Sequence, residues 1–358
     1  MNPIKTDFLI IGGGVAGLSA ANHLIDLGGE VTLLEGGVYP AEKICGEFLS
    51  PEAIPILEQW EIATTARIST MKLIVPNQEL SINLPRESAT IRRYHFDAAL
   101  ADRIEKKGGI VRTSARVENI QVPKIEGGEY LIRLHTGETY STRNLLLSTG
   151  RIPTGLVEQT RTPFRYVGAK CHFSGIDLGN ELVMHLIGGA YFGMAPIGPD
   201  RINVAGIITC DSDSGMNPRD LLNQFFNRPE AKRLVDQLAL GQSLFDDWMV
   251  TPVPEFGIKS DPRLPNVYLL GDAAGVIPPA TGNGLAMGLG SGILAAEFAI
   301  RGDDIGYRNA WKKIYRGRIQ RGKLLHSLFL SKHMIRVIPI LTRLIPSLPN
   351  HIFSATRG

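Results

Sequence analysis

A chain of 358 residues that is 44% hydrophobic and 20% charged has the composition of a folded globular protein, which excludes a disordered or low-complexity one. Its length suits two closely joined domains, or one large domain carrying an inserted sheet. The net charge of +3 hides an asymmetry: from residue 305 onward there are eleven Lys or Arg and no Asp or Glu, so the remainder is net negative. Cys45, Cys171 and Cys210 lie far apart with no C-x-x-C pair, which argues against a disulfide framework or a cysteine-rich zinc site, and no metal is expected. MNPIKTD runs straight into FLII, leaving no room for a leader, and no uncharged apolar run reaches the roughly 18 to 20 residues that span a bilayer. A cytoplasmic protein is expected.

Residues Asp7 to Ile11 read as a buried parallel strand, followed at once by the G-x-G-x-x-G turn Gly12, Gly13, Gly14, Val15, Ala16, Gly17. A helix from about Val15 to Leu27 follows, stopped by Gly28 and Gly29, then a second strand from Glu30 to Leu34 ending in Glu35. In that order each glycine has a purpose. Gly12 permits the tight turn, Gly14 lets a pyrophosphate approach the backbone, and Gly17 lets helix and strand pack closely. The helix N-terminus offers unpaired N–H groups and partial positive charge to phosphates, while Glu35 can accept from two ribose hydroxyls. The turn alone does not separate FAD from NAD, although Glu35 argues against a 2′-phosphate here.

MKLIVP and ELSINLP, within Met71 to Pro85, read as strands, and alternation between Gly168 and Cys210 marks further antiparallel strands. The sheet face offers Phe173, Met184, Leu186, Tyr191, Phe192 and Met194, either as the wall of an apolar cavity or as ordinary core. Tyr191 can hold or protonate a substrate oxygen, or simply fill the core. His172 and His185 fall in strand patterns and read as structural histidines. Asn217 to Leu244 reads as helical.

Val267 to Leu270 reads as another strand of the first sheet, with Gly271 and Asp272 at its carboxyl end, where open α/β sheets bind ligands. Asp272 can hydrogen-bond a polyol chain, which FAD has and NAD lacks. The helix after Gly282, Asn283 and Gly284 would then aim its N-terminus at the redox ring of that cofactor. Gly288 and Gly292, on the same helical face as Gly284, are expected to serve close packing on the sheet.

The C-terminal segment reads as basic helices. Lys332, Arg336 and Arg343 share one face, Leu328, Phe329, Ile335, Ile338 and Leu341 fill the others, and Pro339 and Pro346 kink or end such a helix. It could be a lid over an apolar cavity, an element on an anionic membrane surface, or a packed terminal helix. Bulky aliphatics interleaved with the basic residues, without any binding motif, argue against nucleic acid.

IIGGGVAGLSAANHL with VTLLEG, KICGEFLSP, IRRYHFDAAL and LLGDAAGVIPPATGNGLAMG together resemble the flavoprotein superfamily of geranylgeranyl reductases and aromatic-ring hydroxylases, from Asp7 to about Ile300. The resemblance is closest to the geranylgeranyl-reductase branch. It implies an α/β fold: a Rossmann-type FAD-binding domain (1–70, 86–160 and 256–304), an inserted antiparallel-sheet substrate domain (71–85 and 161–255) and C-terminal helices (305–358). It implies that Arg93, opening the R-x-x-F-D motif, contacts FAD, that the Val117 backbone meets the adenine, and that Cys45 and Glu47 lie near the flavin ring as candidate catalytic groups.

The implied activity is FAD-dependent oxidoreduction of a hydrophobic isoprenoid, polyketide or quinone-like molecule by double-bond reduction. Oxygen- and NAD(P)H-dependent hydroxylation is the alternative, and a non-catalytic flavin-binding protein is the alternative of another class. Thr149-Gly150 stands where ring hydroxylases carry Asp-Gly. No second strand-linked G-x-G-x-x-G appears, so NAD(P)H would visit transiently, or another donor would supply electrons.

Overall fold

The computed structural model describes residues 2–76, 78–125, 127–150, 164–210, 216–253 and 255–357. Five short apolar strands form a parallel sheet in the order Val267–Leu269, Asn144–Leu147, Phe8–Ile11, Val31–Leu34, Ile110–Arg112. The helix Val15–Asp26 connects the second pair, much as the glycine and hydrophobic pattern foretold. Strand order reverses at Phe8–Ile11, and the crevice at such a switch point is where sheets of this kind bind ligands. A separate four-stranded sheet of Ile4–Lys5, Thr139–Thr142, Tyr130–Leu134 and Val117–Gln121 was not anticipated.

The second large sheet has nine strands, among them Ala66–Val75, Gln78–Thr90, Tyr166–Ser174, Glu181–Ile187, Ala190–Pro196 and Ile202–Thr209. Its first two strands run beyond the Met71 to Pro85 expected from sequence, at both ends. It is also not wholly antiparallel, because Glu181–Ile187 lies parallel to Ala66–Val75. The boundary drawn at 160/161 falls among residues 151–163, outside the described residues.

Both faces of this sheet are covered. One carries Phe173, Phe192 and Met194 against Phe225 and Leu234 of the helices that follow and Trp248 of the loop after them. The other carries Leu73, Met184, Leu186, Tyr191 and Ile207 against Phe256, Leu325 and Phe329. The six residues grouped on one face from sequence are thereby corrected. Neighbours such as Tyr191 and Phe192 must point to opposite sides of a strand, so Phe173, Phe192 and Met194 belong to the far core.

The glycine-rich helix Gly284–Ala299 packs on the helix Val15–Asp26 rather than on the sheet alone. A Cβ at Gly292 would lie 2.4 Å from the Ala16 carbonyl oxygen and 2.7 Å from Ala20 N. Ser19 Oγ donates to the Leu289 carbonyl at 2.7 Å across the contact. Glycine's helix penalty, about 1 kcal/mol each, is thus offset by an approach that no larger residue permits.

Three helices close the chain. Asp304–Leu330 buries Tyr307, Trp311, Tyr315 and Ile319 in the core of the parallel sheet, then Leu325 and Phe329 under the large sheet, so one rod joins the two cores. Met334–Leu344 and Leu348–Arg357 follow. Pro339 does not break its helix but lies inside it, buried, and Pro346 falls between the two helices. Lys332 sits in the break between helices, its stem against Gly188, rather than on a shared face with Arg336. Among the described residues no single helix is long and apolar enough to cross a membrane.

Candidate active site

The three motif glycines separate by what surrounds them. Gly12 has φ +100°, and a Cβ there would lie 2.3 Å from the Ser148 carbonyl oxygen; one at Gly17 would lie 2.0 Å from the Gly12 carbonyl oxygen. Neither tolerates a side chain. At Gly14 a Cβ would meet nothing within 4 Å, although its backbone is extended and suits any residue. Gly14 therefore leaves bare a space beside a helix N-terminus, which is what a pyrophosphate needs.

At the end of the neighbouring strand, Glu35 Oε2 accepts from Gly13 N at 2.6 Å and Oε1 from Gly37 N at 2.9 Å. Ala115 N donates to the Glu35 carbonyl at 2.8 Å, so the segment leading to Val117 passes along this end. Val117 itself opens the strand Val117–Gln121, half-buried.

A cavity of about 710 Å³ runs from this turn to the large sheet. Gly14, Ala16, Gly271, Asp272, Gly282 and Gly284 line one end. The other end is apolar: Met71, Leu73 and Met184 of the sheet face Ile338, Ile352 and Phe353 of the last helices. Small residues at Gly168, Gly193, Ala195 and Ala205 leave the strand surfaces bare and make this room. The C-terminal helices are thus a cover over the cavity, and the residues they turn inward are mostly aliphatic or aromatic, with Thr342, Thr356 and Arg357 among them.

The KICGEF loop forms a side wall held by buried charge. Glu47 is fully buried with a left-handed backbone, φ 55°. Its Oε1 accepts from Lys170 Nζ at 2.9 Å and from Arg93 N at 2.8 Å, and His172 Nε2 lies 2.9 Å from Oε2. Lys170 Nζ also donates to Glu42 Oε2 and to the Lys43 carbonyl, each at 3.0 Å, and Arg92 clamps the other oxygen of Glu42. Burial alone would raise the Glu47 pKa, but the His172 and Lys170 contacts overcome it and hold the group below the usual carboxylate range. Glu42, Glu47 and His172 have the makeup of a metal-ligand group, yet the Lys170 ammonium already bridges the two carboxylates. Glu47 is thus a buried acid of the cavity wall and not an exposed loop residue.

Cys45, half-buried on the same loop, accepts from Glu47 N at Sγ, 3.3 Å away, and lines the cavity. Arg93 lines it too, its guanidinium paired to Asp97 by two 2.6 Å hydrogen bonds. Burial lowers the Arg93 pKa, but the Asp97 carboxylate more than reverses this, so the cation is permanent.

On the opposite wall the Tyr191 hydroxyl lies 3.1 Å from His326 Nδ1 and beside the Ala280 backbone. Burial pushes the phenol well above its ordinary value, so it stays protonated and able to donate. Burial also lowers His326 to about 4, so the imidazole is neutral at physiological pH.

Of the residues picked from sequence, Gly14, Ala16, Cys45, Glu47, Arg93, Tyr191, Gly271, Asp272, Gly282 and Gly284 share this cavity. Gly12 and Gly17 act behind its wall and Glu35 beside the turn. Asn283, expected to face the cofactor, is fully buried and donates from Nδ2 to the Thr356 carbonyl at 3.1 Å; the last helix claims that amide.

His172 and His185 are both buried within strands and hydrogen-bonded, His172 to Glu47 and His185 to Gln237, and burial lowers the His185 pKa to about 4. Lys170, His326 and Arg357 were missed. A signal existed for the first: Lys170 and His172, two apart in a strand of buried residues, share a face.

No family model matches the chain. It is 24% identical to a menaquinone reductase of Mycolicibacterium smegmatis over 89% of its length and 82% of that protein's. It is 24% identical to a digeranylgeranylglycerophospholipid reductase of Methanococcus vannielii over 81% of its length and 76% of that protein's. Among solved structures, a geranylgeranyl bacteriochlorophyll reductase-like protein of Thermoplasma acidophilum superposes with TM-score 0.77 at 19% identity, covering 99% and 96% of the two chains. A probable FAD-dependent monooxygenase of Pseudomonas aeruginosa superposes with TM-score 0.73 at 16% identity, covering 93% and 98%.

Proposed function

We propose that the chain, 24% identical to a menaquinone reductase and to a digeranylgeranylglycerophospholipid reductase, is an FAD-dependent oxidoreductase that reduces a double bond or quinone-like ring of an isoprenoid substrate. The observation that carries this reading is the cavity, continuous from the bare backbone at Gly14 to an apolar vault under the last helices. FAD, when bound, supplies the hydride chemistry. Gly14 and the helix behind it would hold its pyrophosphate, Glu35 the ribose, Asp272 the polyol chain, and the backbone at Gly282 and Gly284 its ring end. Arg93 and the segment at Val117 would complete the nucleotide contacts.

Reduction also needs a proton, and Tyr191 is the protonated group facing the apolar end. Its hydrogen bond to neutral His326 orients the phenol without ionising it. Tyr191→Phe is expected to lower the rate of substrate-dependent flavin reoxidation by about a hundred- to ten-thousandfold while flavin stays bound. Stopped-flow absorbance under argon measures it, and an unchanged rate would remove Tyr191 from the chemistry. Cys45, on the wall held by Glu47, is the second side chain proposed to touch the reacting centre.

The deciding experiment records the flavin spectrum of the purified protein after NAD(P)H, another donor or dithionite, with a menaquinone or a geranylgeranyl lipid, with and without air. Productive reoxidation by substrate under argon supports the reductase. Oxygen consumed in step with product identifies a hydroxylase, and bound flavin that no donor and substrate can cycle identifies a carrier.

Such substrates reside in lipid, and the outer surface of the cover is suited to it. Val337, Ile340, Leu344 and Ile345 are exposed, with Arg336 and Arg343 beside them. We propose that this face rests on an anionic membrane. The protein should sediment with vesicles containing phosphatidylglycerol and detach in 1 M salt, and Leu344→Glu should weaken binding by about tenfold, given the burial energy of one leucine. Indifference to vesicles and salt would refute the surface role.

A further inference from the structure

Arg357, near the end of the last helix, is the least explained cation in the cavity wall. Its NH2 donates to the Thr281 carbonyl at 3.0 Å, its NH1 to the Phe353 carbonyl and Thr356 Oγ1, and its guanidinium lies 3.4 Å over the Phe353 ring. Nε is buried and has no hydrogen-bond partner among the described residues. Burial lowers its pKa to about 10, and Glu52 opposes this only through its field. A guanidinium in an apolar wall without a hydrogen-bonded carboxylate is costly, and it calls for an anion.

The anion's place is marked by a second feature. A Cβ at Gly282 would lie 3.7 Å from Arg357 NH2, and Gly282 is separated from the 16-residue helix Gly284–Ala299 only by its N-cap, Asn283. That helix has no side-chain cap and no acidic residue in its first turn, and the space beside Gly284 is open. Helix terminus and guanidinium therefore converge, both positive, on the end of the cavity where the ring of FAD would sit. The last helix is fastened there by Arg357 and by Asn283 Nδ2, which donates to the Thr356 carbonyl.

We propose that Arg357 is a cofactor-tuning residue, which binds the pyrimidine edge of the flavin ring and favours its reduced, anionic form, so that the C-terminal cover and the redox state are coupled. This rests on the FAD reading above and extends it to the chain's own terminus. An anionic substrate headgroup offers the same chemistry as the flavin edge, and the test is run without substrate to separate them.

The experiment measures the flavin midpoint potential by spectroelectrochemistry, and oxidised FAD affinity by fluorescence titration, for wild type, Arg357→Gln and Arg357→Lys. Arg357→Gln is expected to reduce the preference for reduced over oxidised flavin about tenfold, equal to about 30 mV for a two-electron couple. Arg357→Lys should retain most of the wild-type value. In wild type, reduction at neutral pH should take up one proton per two electrons, because the reduced ring remains anionic; this reading does not depend on a variant folding. Equal potentials in wild type and Arg357→Gln, or uptake of two protons by wild type, would overturn the proposal. Failure of wild type to bind FAD at all would instead remove the functional reading on which it rests.

Discussion

Glu47→Gln will destabilise the protein by about 3 to 5 kcal/mol, measured as the shift in urea unfolding of the purified chain. The carboxylate is the shared counter-ion of Lys170 and partner of His172, all three fully buried, and the amide leaves an ammonium in the interior with only Glu42 to balance it. The loss should be largely recovered when Lys170→Met is added, because the stranded charge is removed with its partner. Simple additivity of the two substitutions would refute the shared-charge account.

The same cluster sets an acid limit. The pKa values of Glu42 and Glu47 are lowered in the folded chain from the ordinary 4.5. Groups held low contribute stability that is complete above their unfolded value and disappears as pH falls through the folded one. Unfolding free energy should therefore be insensitive to these groups near neutrality and fall below about pH 4.5, and the fall should be shallower in the double variant. A double variant that loses stability as steeply would place the acid sensitivity elsewhere.

Gly14→Val will weaken FAD binding by about a hundredfold, equal to about 2.7 kcal/mol, while leaving the stability of the cofactor-free chain within about 1 kcal/mol. The added side chain meets no protein atom and the backbone there is extended, so the cost falls on the ligand's space alone. Gly17→Ala should behave oppositely, because its Cβ would lie 2.0 Å from the Gly12 carbonyl oxygen and the turn itself must shift. Titration of FAD into both refolded variants, with thermal melts of the apo forms, separates the two. Equal FAD affinity of Gly14→Val and wild type would show that the pyrophosphate does not lie on this turn.

What could be read in advance was what depends on neighbours in sequence. The strand, glycine turn and helix from Phe8 to Asp26 are local, each residue's reason lying within a few positions of it. The loop at Cys45 and Glu47 was recognised only through its resemblance, since its chemistry depends on Lys170 and His172, more than 120 positions away. The two faces of the large sheet were confused because both are apolar, so hydrophobicity carries no parity, and only strict alternation separates Tyr191 from Phe192. Glycines at 288 and 292 announced a close neighbour but not its identity. Arg357 was invisible as a site residue, because its position depends on three helices folding back across the cavity.

The contact between the helices Val15–Asp26 and Gly284–Ala299 also bears on how the molecule is made. Ser19 and Leu289, joined across it, stand 270 positions apart, so the glycine turn emerges from a ribosome long before its helical partner. Closing such a loop is slow, and until then the bare helix faces at Ala16 and Ala20 remain open to wrong partners. Docking of the first helix is thus postponed until Gly284–Ala299 has been made, and chaperone demand should concentrate on the interval before it.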